Sequence, residues 1–164
     1  MMSITKSEPK KMSNAAKRTP AGEVITALTL DIFRLNNLLL NAGDRLVTSL
    51  GLTSARWQIL GAIARAEHSQ PVAWLARNMG ANRQNVQRIV NDLHDQGLVI
   101  FEANPHHRRA QLVVLTAKGR RIYDAAMALQ APWVNNLTED LSLPDLAAFE
   151  RVLFALRARL EASQ

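Results

Sequence analysis

The stretch Asn82–Gly97 constrains the fold more than any other part of the chain, because it carries two side-chain patterns at one period. Val86, Ile89, Val90 and Leu93 stand at relative offsets of 0, 3, 4 and 7, and so do Gln84, Gln87, Arg88 and Asn91. Positions spaced in this way share one face of an α-helix, so the segment predicts a helix with an apolar stripe and, roughly opposite, a polar one. Asn82 offers a side-chain acceptor to the first turn, and Gly97 can take the left-handed conformation with which helices often end. The polar stripe holds no carboxylate, since Asp92 and Asp95 lie off it. Surface helices usually mix acids with bases, whereas Gln, Asn and Arg are the side chains that pair with adenine and guanine edges in a major groove.

The neighbouring segments give this helix a context. Pro71 near a helix start, followed by Leu75, Ala76 and Met79, predicts a short helix that stops at Gly80. Glu67–Gln70 before it reads as a loop. Beyond Gly97, Leu98–Glu102 and Gln111–Leu115 are β-prone runs joined by the polar turn Ala103–Ala110, which predicts a hairpin with Arg108 and Arg109 at its tip. A short helix, a tight turn, a polar-faced helix and a basic hairpin follow the order of a winged helix-turn-helix. In that geometry the second helix enters the major groove and the wing can set an arginine in the adjacent minor groove. The candidate DNA contacts are therefore Arg83, Gln84, Gln87, Arg88 and Asn91 on the helix, and Arg108 and Arg109 on the wing.

Helices flank this lobe on both sides. Val24, Leu28, Ile32, Leu35, Leu39, Ala42 and Leu46 mark one face of a long helix from Pro20 to about Leu50, ended by Gly51. Thr53 then caps a second helix carrying Trp57, Leu60, Ile63 and Ala64 to about Ala66. After the hairpin, Thr116 caps a helix from Ala117 to about Gln130, which Pro132 is expected to kink or interrupt. Ser142, with Pro144 in the first turn and Asp145 at its third position, opens a last helix whose apolar side is Leu146, Phe149, Val152, Leu153, Leu156 and Leu160. The fold class is mainly α with a small β-hairpin wing, a winged helix-turn-helix between long N- and C-terminal helices whose apolar sides predict dimerisation. Residues 1–19 are polar and Lys-rich without an apolar period, and predict a disordered basic arm ahead of a single domain at residues 20–164.

Charge divides along the chain in the same way. The net charge of +6 splits into +4 over residues 1–20, −1 over 21–52, +5 over 53–120 and −2 over 121–164. A basic centre between neutral or acidic helices fits a DNA-facing lobe attached to an association lobe.

Other chemistries lack their residues. The chain has no cysteine, which excludes disulfides, thiolate metal sites and thiol nucleophiles. His106 and His107 are adjacent in a turn and His68 and His94 lie far from them, so no metal-ligand spacing appears and no metal or other cofactor is expected. No Gly-rich phosphate loop occurs, and Ser49, Ser54 and Ser69 have no nucleophile setting, so the chain is not expected to be an enzyme. The N-terminal lysines are not followed by an apolar run, and no stretch of 18 apolar residues occurs, which predicts a cytoplasmic protein without a membrane partner.

Three segments together resemble the MarR family of bacterial regulators. They are Leu52–Leu60, Asn82–Val90, and the wing with Arg108-Arg109 leading into Val114-Leu115-Thr116-Ala117-Lys118-Gly119. The resemblance spans most of residues 20–162. It implies a homodimer whose first, fifth and sixth helices intertwine, with a winged-helix lobe at 53–116 and a dimerisation lobe made of 20–50 and 117–162. Each winged helix would read half of a pseudo-palindromic operator in double-stranded DNA, with contacts from Arg83, Gln84, Gln87 and Arg88 and from Arg108 or Arg109. The resemblance also implies a repressor released by a small, often aromatic or phenolic effector, for which Arg34, Asn37, Trp57, His68 and Tyr123 are candidate contacts. Two residues depart from the family pattern. Asn82 replaces the common serine cap, with the same accepting role, and Asn104 and His107 stand where family wings carry aspartates that brace the arginines. The wing arginines are therefore expected to be less firmly held. The alternative from a different class is a winged helix used for protein interaction without specific DNA binding, which would not require the acid-free stripe.

Overall fold

The computed structural model describes residues 17–107 and 109–163. Most of the basic arm, residues 1–16, and the wing residue Arg108 lie outside them. The chain divides by compactness between Leu39 and Leu40.

The first unit, as described, consists of Lys17–Thr19 and the leading part of helix α1 (Pro20–Val47). Thr19 caps it, its Oγ1 accepting from the Gly22 amide at 3.1 Å. Five of the seven apolar residues predicted at helical spacing on this helix fall in this unit. Val24, Leu28, Ile32, Leu35 and Leu39 are all exposed, and Leu30, Phe33 and Leu38 are exposed beside them.

The second unit begins with the end of α1 and a single 3-10 turn at Thr48–Leu50, and continues through α2 (Ser54–Arg65), β1 (Gln70–Pro71), α3 (Val72–Asn78), α4 (Arg83–Asp95), β2 (Val99–Glu102), β3 (Leu112–Leu115), α5 (Ala117–Leu137) and α6 (Leu143–Glu161). Four of its helices, α2, α4, α5 and α6, start where a side chain accepts from a free amide. Thr53 accepts from Arg56 N, Asn82 from Gln84 N and Asn85 N, Thr116 from Gly119 N, and Ser142 from Asp145 N. At the end of α4, Gly97 lies at a φ of 69°, its amide bonds to His94 O, and Leu98 N reaches back to Leu93 O at 2.9 Å. This Schellman pattern turns the chain sharply from the helix into the hairpin.

Three elements differ from the sequence reading. Gln70–Pro71, expected as loop and helix start, forms a short edge strand, so the wing hairpin belongs to a three-stranded antiparallel sheet of order β1-β3-β2. Two residues are too few to show an alternating pattern, and proline fits an edge because no amide is demanded of it. Helix α5 runs on as one helix through Pro132 to Leu137 instead of ending near Gln130. Both Pro132 and Ala128, whose carbonyl loses its intrahelical donor, are exposed, so water can supply the missing hydrogen bond. Helix α1 ends at Val47, and the last turn expected of it is the 3-10 turn.

The core lies under the winged helix. Ile59, Leu60 and Ile63 of α2, Val72, Leu75 and Ala76 of α3, Val86, Ile89, Val90 and Leu93 of α4, Val99 and Val113 of the sheet, and Tyr123 and Ala126 of α5 are buried together. Val113 is paired on both sides, opposite Gln70 and Phe101, and is wholly buried. The start of α5 is fastened to the end of α4. Thr116 Oγ1 donates to Gly97 O at 2.8 Å, Lys118 Nζ donates to Gln96 O at 2.8 Å, and a Cβ on the buried Gly119 would overlap the Leu98 carbonyl. These contacts fix α4 and the hairpin at their shared junction.

Candidate nucleic-acid interface

With its apolar stripe buried, α4 turns the other stripe to solvent. Gln84, Arg88 and Asn91 are exposed and Gln87 is half-buried. Within the stripe Gln87 Nε2 donates to Asn91 Oδ1 at 2.9 Å, a bond that uses neither the Gln87 Oε1 acceptor nor the Asn91 Nδ2 donor. Arg88 Nη2 donates to Asn85 Oδ1 at 3.1 Å. Arg83, Gln84, Gln87, Arg88 and Asn91 line one open depression of about 570 Å³.

The wing meets this face. Arg83, Gln87 and Asn91 also line a smaller groove of about 240 Å³ together with Phe101, Arg109 and Gln111 of the wing and its strands, and with Pro71, Val72 and Ala73. The structure thus brings six of the seven predicted DNA contacts onto one continuous face, and the seventh, Arg108, lies outside the described residues. Gln111, next to Arg109 in that groove, was missed by the sequence reading. Its signal was its place as the polar residue between a basic tip and an apolar strand.

The turn carrying Arg109 is closed by Asn104 rather than left loose. Asn104 Nδ2 donates to Ala110 O at 3.0 Å across the turn, its Oδ1 accepts from His106 N, and its own carbonyl accepts from His107 N. An amide can do this where a carboxylate cannot, because it donates as well as accepts. These bonds hold the backbone of the turn and involve neither wing arginine's side chain. The exposed Arg109 side chain projects from a closed turn.

Asp92 qualifies the acid-free stripe. Although it lies off the stripe, its Oδ2 is 3.6 Å from Arg88 Nη1 and 3.6 Å from Arg56 Nη2 of α2. The i,i+4 spacing of Arg88 and Asp92 was the available signal.

The candidate effector residues are scattered by comparison. Arg34 and Asn37 belong to the first unit and are exposed there, with Arg34 paired to Asp31 at 3.3 Å. In the second unit Tyr123 is part of the core, with the Arg120 guanidinium 5.9 Å from its ring centre. Trp57 is half-buried against the same core, and His68 is exposed before β1. An open groove of about 440 Å³ between α2 and α3, lined by Gln58, Arg65, Gln70, Leu75, Asn78 and Met79 among others, includes none of them.

Comparison with known proteins agrees with this geometry. The MarR family model matches residues 50–110, which hold α2 to the wing. An uncharacterized protein of Mycobacterium tuberculosis is 38% identical over 138 residues, covering 84% of this chain and 93% of its own length. The chain belongs to the MarR family. The transcriptional activatory protein BadR of Rhodopseudomonas palustris is 30% identical to this MarR-family chain over 104 residues, 62% of this chain and 59% of BadR. Among solved structures, a mutant MarR from E. coli complexed with operator DNA matches with a TM-score of 0.72 at 23% identity, over 85% of this chain and 99% of that one. CouR from Rhodococcus jostii bound to p-coumaroyl-CoA matches with a TM-score of 0.71 at 21% identity, over 79% and 90%. The family and its structural relatives are transcription regulators, not enzymes. Among the described residues no helix is long and apolar enough to cross a membrane.

Proposed function

We propose that this MarR-family regulator binds a pseudo-palindromic operator in double-stranded DNA as a homodimer, reading bases with α4 and anchoring each half-site with the wing. One observation carries the reading: Arg83, Gln87 and Asn91 of the α4 polar stripe and Arg109 of the wing line one groove. In this reading Gln84, Gln87, Arg88 and Asn91 supply base contacts, and Arg83, Arg109 and Arg108 neutralise phosphates or enter the minor groove. Phosphate contacts supply most of the affinity, and the stripe supplies the choice of sequence. The two-fold symmetry of a dimer would place the recognition helices about 34 Å apart, one turn of B-DNA, which is why the operator is read as a pseudo-palindrome. The exposed apolar sides of α1 and α6 support self-association.

Control by occlusion and release by a small aromatic or phenolic effector complete the proposal. CouR, which shares the fold and was solved with p-coumaroyl-CoA, supports the effector class. An effector that prefers a spacing of the recognition helices incompatible with one helical turn would release DNA by population shift. The name of BadR favours a second reading for the sign of control, activation. The test is selection of bound fragments from genomic DNA, followed by titration and by a reporter placed under the selected site. The proposal expects a specific site bound at least about 10³-fold more tightly than scrambled duplex. Reporter expression should rise when the regulator is removed, whereas a fall would establish activation. Equal affinity for selected and scrambled duplex would overturn sequence-specific binding in favour of a protein-interaction module.

A further inference from the structure

We propose that Asp92 is a positioning residue for base reading: its carboxylate, steadied by Arg56 of α2, sets the direction of the Arg88 side chain on the α4 face. The inference rests on the reading of α4 given above. Arg88 is tethered from both neighbouring turns of its own helix. Three residues earlier, Asn85 Oδ1 accepts from its Nη2 at 3.1 Å, and four residues later Asp92 Oδ2 lies 3.6 Å from its Nη1. Asp92 has a second partner, because Arg56 Nη2 approaches the same oxygen at 3.6 Å. Side-chain exposure rises along the chain of charges, from 27% at Arg56 to 37% at Asp92 and 67% at Arg88. A half-buried arginine on α2 thus holds a carboxylate of α4 that orients an exposed arginine one turn earlier on α4.

The physical consequence lies in selectivity rather than in stability. Ion pairs this exposed add little to folding, so neutralising Asp92 leaves the fold nearly as stable. An arginine has many rotamers, however, and one already restricted by its tethers loses less freedom when it pairs with a guanine edge or a phosphate. The same carboxylate repels the phosphates of any duplex, whatever its sequence. Removing it therefore has two separable effects: affinity for all DNA rises, and preference for the correct site falls. The second effect passes through Arg88, and the first does not.

The experiment uses full-length protein carrying Asp92→Asn, Arg56→Gln, Arg88→Ala, or Asp92→Asn with Arg88→Ala, titrated at fixed salt with the selected duplex and with a scrambled one. Asp92→Asn is expected to lower the ratio of specific to non-specific affinity roughly threefold to tenfold, the order associated with freeing one immobilised side chain, with the melting temperature unchanged. Arg56→Gln should lower the ratio in the same direction and by less. Adding Asp92→Asn to Arg88→Ala should leave the ratio where Arg88→Ala alone put it. The proposal is overturned if Asp92→Asn raises both affinities equally, or if it changes the ratio by the same factor with Arg88 absent. An Arg88→Ala protein with an unaltered ratio would instead overturn the reading of α4 itself.

Discussion

The winged-helix core and the last helix are built from the same kinds of residue and meet opposite fates. In the core, Leu60, Val90, Leu93, Val99 and Val113 are shut off from solvent completely, and each element contributes an apolar face that another element of the same chain covers. Helix α6 buries none of its residues, and Phe149, Val152, Leu153, Phe154 and Leu160 remain exposed on it. Apolar surface left open on this scale calls for a partner, since burying one such side chain fully is worth about 1.5–3 kcal/mol. The difference teaches that the winged-helix lobe covers its apolar faces within one chain, whereas the last helix leaves its apolar side for the partner copy proposed above.

Substitutions can break that contrast or sharpen it. Phe149→Glu places a charge on the open side of α6, and in a two-fold interface it occurs twice. It should weaken dimerisation by about 3–6 kcal/mol, seen in sedimentation at micromolar concentration as a shift to monomer mass with helix content retained. A wild-type protein that sediments as a monomer would remove the contrast altogether. Leu93→Ala, at a wholly buried position of α4, should destabilise the winged-helix lobe by about 2–5 kcal/mol in urea unfolding, whereas a cost under about 1 kcal/mol would mean that the core around Leu93 is loosely packed. Arg109→Ala should leave both core and association intact and lower the slope of log affinity against log salt by about one phosphate contact. An unchanged slope would take the wing out of the interface.

What could be read from sequence follows the same division. The four caps at Thr53, Asn82, Thr116 and Ser142 and the apolar stripe Val86, Ile89, Val90 and Leu93 are local signals, and each stands in the structure as the spacing predicted. The features that escaped depend on partners distant in sequence. Gln70–Pro71 is a strand only because Val113 and Leu112 lie beside it. Asn104 closes the wing by reaching Ala110 across the turn. The second partner of Asp92, Arg56, is delivered to it by another helix. Helix α5 survives Pro132 through exposure, a property that composition does not display. The candidate DNA face was legible as one surface because its signal is one helix's periodicity, while the candidate effector residues, spread over α1, α2, the loop before β1 and α5, share no such period.

The claim that most needs testing is that the α4 stripe reads bases rather than merely attracting DNA. Wild type, Gln87→Ala and Arg88→Ala should be titrated against the selected operator and against versions of it changed one base pair at a time. Each variant is predicted to lose about 1–3 kcal/mol on the preferred site and to become indifferent at the base pairs its missing side chain reads, while keeping the preferences elsewhere. A loss of equal size on every sequence, with the pattern of preferences untouched, would contradict the account.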